Sequence, residues 1–199
     1  MTRVFITIDT EYSSGLYTGP GAADRADNFA RSIACNTPQG PAGIAHKLDL
    51  LARHGQKAVF FVDPMPALVW GVAAIEDIVA PIIAAGQDVQ LHCHTEWLGL
   101  AGNANPLASN RTGQNLADFP FEEQCQILDY ARTTLMAAGA AIGLDGAVVG
   151  LHGSLYTYGQ AGTVHHAADV AVHGDVVQIV LAGQHFGAVF LADVAHGGQ

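Results

Sequence analysis

Residues 44–62 read IAHKLDLLARHGQKAVFFV, and the change of period inside this stretch decides the fold class. Ile44, Leu48 and Leu51 recur at helical spacing, which puts one apolar face on a helix closing at His54. Gly55 follows, where a left-handed C-terminal residue is expected. The chain then runs through Ala58 to Val62, an apolar run that reads as a strand. The same pattern stands on either side. Val4, Ile6 and Ile8, with Phe5 and Thr7 between them, predict a first strand ending at Asp9. Ile75, Ile78, Val79, Ile82 and Ile83 predict a helix with Pro81 as a point of bending and Gly86 as its stop, leading into a third strand from Val89 to His92. A β-α-β-α-β alternation of this kind implies an α/β fold.

Further along, Phe121, Cys125, Leu128, Ala131, Leu135 and Ala138 step by four and three residues. Pro120 stands at the start, Glu122 and Glu123 in the first turn, and Gly139 at the end of a predicted helix. A loop rich in Gly, Asn and Pro precedes it over residues 99–118. Later strand candidates are Ala147 to Leu151, Val176 to Leu181 and Ala188 to Leu191.

The whole chain, residues 1–199, reads as a single domain of mostly ordinary composition, with 199 residues, half of them apolar. Its formal net charge of -10 disfavours nucleic acid as a partner, because a phosphate backbone requires Lys and Arg to displace its counterions. A neutral, sugar-like substrate is easier to accommodate. Cys35, Cys93 and Cys125 form no CxxC pair, so neither a disulfide framework nor a structural zinc ribbon is expected. The N-terminal MTRVFITIDTEY moves directly into a strand pattern, and nothing later approaches the roughly 18 apolar residues of a membrane span. A cytoplasmic protein with no membrane partner is therefore expected. Composition shifts at the end: every Lys and Arg lies between Arg3 and Arg132, while residues 133–199 hold six of the ten histidines. Either a buried, Gly- and Ala-rich half-domain or an altered reading frame after about residue 139 explains that shift.

The residues that carry chemistry collect where the strands end, as polar groups do in α/β folds. Strand one closes on Thr7-Ile8-Asp9-Thr10-Glu11 and strand three on Leu91-His92-Cys93-His94-Thr95-Glu96-Trp97. Side chains on a strand repeat every second residue, so Asp9 shares a face with Glu11, and His92 with His94. Cys93 then points the other way and reads as a small core residue. A carboxylate with two imidazoles suits a divalent transition metal and leaves a position open for water. Trp97 is either a sugar-stacking platform or a plug for the core beside Leu98, and Asp63, at a strand-end turn, is a candidate for the site mouth.

The order TIDTE, KAVFFVDP, DVQLHCHTEWL and FEEQCQILDYARTTLMAAG resembles the polysaccharide deacetylase (NodB-homology) family, in its branch with an Asp-x-Glu first motif. The resemblance covers roughly residues 3–139; residues 140–199 are atypical. It implies an incomplete, distorted (β/α) barrel with a metal-dependent site, zinc above all, that removes N-acetyl groups from an amino sugar or polysaccharide precursor. Asp9 matches the family's catalytic aspartate and Glu11 stands nearest its metal-binding acid, although alignment to the Asp-Asp form puts Thr10 there. The second motif implies His92 as a metal ligand; its partner is His94 or, at the family's four-residue spacing, Glu96. Trp97, Asp63 and Tyr156 are the residues expected to meet substrate. The third motif's nearest match, Gly150 to Tyr156, keeps Gly-Ser and lacks the arginine that would hold Asp9 ionised. Two alternatives stay open: a metal- or carbohydrate-binding remnant without turnover, and another metallohydrolase of amidohydrolase type. Whether a second copy completes the barrel as a homo-oligomer also stays open.

Overall fold

The computed structural model describes residues 3–19 and 21–142, together with the strand segments 149–151, 172–173, 176–180 and 188–192. Strand β1 (Arg3–Thr10) leads into two short helices, α1 (Ser14–Thr18) and α2 (Arg25–Asn28), and a π-helical turn at Phe29–Ile33. A small hairpin, β2 (Asn36–Thr37) and β3 (Gly40–Pro41), precedes α3 (Ile44–Arg53), β4 (Ala58–Val62), α4 (Ala67–Trp70), α5 (Ala73–Ala84) and β5 (Asp88–Cys93). Next come α6 (Trp97–Leu100), α7 (Phe121–Ala137), β6 (Val149–Leu151), β7 (Val172–His173), β8 (Val176–Val180) and β9 (Ala188–Ala192).

The helices expected from apolar periodicity, α3, α5 and α7, all form. Gly55 and Gly86 take φ of +61° and +66°. Both sit just past a helix, in the left-handed region that a side chain disfavours, so each helix turns sharply into the strand that follows.

The main sheet runs β6-β5-β4-β1-β9-β8-β7. The ladders β1–β4, β4–β5 and β5–β6 are parallel, whereas β9 pairs antiparallel with β1, and β8 and β7 continue antiparallel beyond it. The result is a mixed α/β fold around a parallel sheet. Among the described residues the sheet is open, with no closed barrel.

Strand alternation divides this sheet into two chemically different faces. Phe60 and Val62 of β4 are fully buried, and Val89, Leu91 and Cys93 of β5 are 3% exposed. They join one core with Ile75, Ile78, Val79 and Ile82 of α5 and with Ile127, Ala131 and Leu135 of α7, all fully buried. Each large apolar side chain buried in this layer contributes about 1.5–3 kcal/mol. Cys93 therefore faces the helices, as strand parity requires, and burial pushes its thiol well up, which keeps it neutral. The opposite face carries Phe61, Gln90 and the polar groups at the strand ends.

Because Phe60 fills the helix layer directly beneath those strand ends, Phe60→Ala should cost about 3–5 kcal/mol in urea unfolding. A loss below about 1 kcal/mol would mean that this layer is not packed as described.

Candidate metal centre

The ladder register assembles the site. Asp9 pairs with Phe61 and Thr10 with Val62 between β1 and β4, while Phe61 pairs with Gln90 and Val62 with Leu91 between β4 and β5. One residue further, Glu11, Asp63 and His92 come abreast at the carboxyl-terminal ends of three adjacent parallel strands, away from the helix layer. The Asp63 N–H still donates to the Thr10 carbonyl at 3.2 Å, so the pairing persists to this row. His94 returns to the same side two residues after His92.

Glu11 Oε2 lies 2.9 Å from His92 Nε2 and 2.5 Å from His94 Nε2, and the two Nε2 atoms are 2.8 Å apart. The histidines are buried, at 5% and 4% exposure, whereas the Glu11 side chain is 38% exposed and opens the cluster to solvent. Glu96 stands behind His94: its Oε1 is 3.1 Å from His94 Nδ1 and accepts a hydrogen bond from Ser14 Oγ at 3.2 Å. Asp63 accepts from the backbone N–H groups of Met65 at 3.1 Å and His94 at 3.3 Å, through Oδ1 in both cases.

These contacts set the charges. Burial alone would raise the Glu11 carboxyl, but the adjoining His92 and His94 rings outweigh it and hold Glu11 far below the ordinary carboxylate range. Burial would lower His94, yet the Glu11 and Glu96 carboxylates push it up to about 11. His92 is likewise raised, with Glu11 overcoming the effect of burial. Glu96 is lowered, the His94 contact outweighing its desolvation. Asp63, with no exposed surface, is pushed up by burial to about 7 against the opposing pull of both imidazoles.

Several features fit a bound cation. The donor atoms of Glu11, His92 and His94 all lie within 4.8 Å of one another. At metal–ligand distances near 2.0–2.2 Å, donors around a tetrahedral ion stand about 3.3 Å apart, so only a small outward rotation is needed. Three carboxylates surround two imidazoles. Among the described residues, Asp63 Oδ2 and Glu96 Oε2 are also buried without a hydrogen-bond partner, an arrangement that a nearby positive charge relieves.

The structure brings together Glu11, His92 and His94 as the sequence led one to expect, and it corrects other assignments. Glu96 bonds the far nitrogen of His94 and is not in the donor cluster, because the chain leaves β5 after Cys93 and curls into α6. Trp97 is fully buried and packs at ring-centroid distances of 5.4 Å from Trp70 and 5.9 Å from Tyr17. Its face is thus core rather than a platform for sugar. Asp63 is not at a mouth, since its row between Glu11 and His92 leaves it 0% exposed. Asp9 is exposed and outside the donor cluster. Tyr156 lies outside the described residues. Ser14 escaped the sequence reading, for its contact with Glu96 spans 82 residues and no local pattern marks it.

A sheet with one carboxylate and two imidazoles at its strand ends has the donor set of a divalent-metal site, with positions left for water or substrate. No family model, curated protein or solved structure matches the chain. Among the described residues no helix is long and apolar enough to cross a membrane.

In the metal-free protein, ionised Glu11 adds stability above its ordinary value of 4.5 that is lost only as pH falls far below it. Protonated His94 adds stability in full below its ordinary 6.5, lost as pH rises toward about 11. The triad therefore contributes most between those two ordinary values. A metal competes with the same protons, so zinc should raise the melting temperature more at about pH 8 than at about pH 5.5. Equal shifts at both, measured by thermal unfolding with and without zinc, would show that the ion does not meet these imidazoles.

Proposed function

We propose that the chain is a zinc-dependent N-deacetylase acting on an amino sugar or polysaccharide precursor, built on an incomplete (β/α) barrel. The observation that supports this most is the convergence of Glu11, His92 and His94, which come from two distant segments, TIDTE and DVQLHCHTEWL. Zinc is the favoured ion because a donor set of two imidazoles and a carboxylate matches its chemistry. When bound, it supplies a Lewis acid for the acetyl carbonyl and lowers the pKa of a coordinated water from about 15.7 toward 7.

The chain's own residues supply the rest. His92 and His94 present ring nitrogens from a wall that excludes water, and Glu11 offers its carboxylate from the solvent side. Asp9 stands two residues before Glu11, on the same side of β1 by strand alternation, and it is exposed. In this reading it takes the proton of the attacking water as general base. An N-acetylated sugar is uncharged and meets no electrostatic barrier at a chain of net charge -10.

Acetate release from N-acetylglucosamine oligomers tests the proposal. Activity should vanish with a chelator, return with zinc, and be lost in His92→Ala. Asp9→Asn should lower kcat by about 10²–10⁴-fold while zinc binding is kept. Tight zinc binding by the unaltered chain with no acetate released would instead favour a metal-binding protein without turnover.

A further inference from the structure

We propose that Glu96 is a positioning residue for His94, fixing the tautomer and direction of its ring from behind, and that Ser14 of α1 holds Glu96 in place for that task. The inference rests on the metal-centre reading and deepens it by assigning a role to the layer that supports the ligands.

The argument begins with local geometry. Glu96 has helical backbone angles, φ −61° and ψ −24°, at the entrance to α6. The chain has therefore left the extended conformation two residues after His94, and the Glu96 side chain returns to the outer edge of that ring. Its Oε1 lies 3.1 Å from Nδ1. With the Glu96 carboxylate as acceptor, Nδ1 carries the hydrogen, so Nε2 is the nitrogen that faces the cluster and would give up its proton to a metal. A flipped ring would lose this bond and leave Oε1 with Ser14 alone. The backbone of the same residue is held separately, by its N–H to Asp63 Oδ1. His94 is thus fixed at both ends, as outer-layer partners of metal ligands commonly arrange.

Ser14 is itself anchored. Its neighbour Ser13 caps α1 by accepting from the Leu16 N–H at 3.2 Å. Ser13 also exchanges two hydrogen bonds with the side chain of Asn28: the Ser13 N–H donates to Oδ1 at 3.0 Å, and Nδ2 donates to the Ser13 carbonyl at 2.8 Å. Asn28 is fully buried. A continuous chain of polar contacts therefore runs from Asn28 through the start of α1 to Glu96 and the His94 ring.

The test measures zinc affinity of the full chain and the visible d–d spectrum of its cobalt(II) form. Glu96→Ala should weaken zinc binding by about 10–100-fold and shift the cobalt band; Glu96→Gln, whose amide oxygen still accepts from Nδ1–H, should recover most of both. Ser14→Ala should produce a smaller change of the same kind. Wild-type affinity and an unshifted band in Glu96→Ala would overturn the assignment. So would a Glu96→Gln variant as impaired as Glu96→Ala, since that result marks a direct ligand. Should Glu96→Ala fail to fold, the cobalt band of Ser14→Ala decides: shifted supports the role, unshifted overturns it. An unaltered chain that binds zinc but releases no acetate overturns the deacetylase reading alone, whereas one that binds no zinc overturns both.

Discussion

Two imidazole nitrogens and a carboxylate oxygen lie within 2.9 Å of one another at the ends of β1 and β5, the parallel strands on either side of β4, and the rest of the structure depends on that crowding. Such a cluster persists only if every strand ends in step. Thr10, Val62 and Leu91 are the last common row of the ladder, and the next row brings Glu11, Asp63 and His92 abreast. A slip of one residue in β5 would turn His92 toward the helices and bring Cys93 into the site, because side chains alternate with a period of two. Register and chemistry are therefore one constraint here.

The helix layer enforces that register. Phe60, Val62, Val89 and Leu91 lie against α5 and α7 in a core whose buried side chains are at most 9% exposed. A slipped strand would put Gln90 or Asp88 into this layer, and burying those polar groups without partners costs several kcal/mol. The apolar face thus sets the polar face.

How much of this could be read in advance depends on the range of the interaction. The helices α3, α5 and α7 follow from apolar spacing, and β1, β4 and β5 from short apolar runs closed by polar residues; these are local patterns. The pairing of His92 with His94 was equally legible, for strand alternation alone puts them on one side. Glu96 was not, because its role depends on the chain leaving β5 after Cys93, which changes where a side chain two positions beyond His94 must point. Asp63 was misplaced for a related reason: polarity suggested a mouth, whereas it is enclosed by segments distant in sequence. For Trp97 the sequence left a sugar platform and a core plug open, and distant segments enclose it as the core plug. The incomplete barrel inferred from resemblance is matched only as far as a parallel α/β sheet.

The charge balance explains why the cluster can exist before any ion arrives. Glu11 and Glu96 are held ionised by His94, and His94 is held protonated by them, so the metal-free site is neutralised internally by protons. Those protons sit on the nitrogens that a metal requires. A bound ion would therefore replace one form of positive charge with another, leaving the surrounding carboxylates compensated in both states. That exchange allows a buried, acid-rich site to fold without metal and still remain open to it, since neither state leaves Glu11 and Glu96 facing each other unneutralised across the imidazoles.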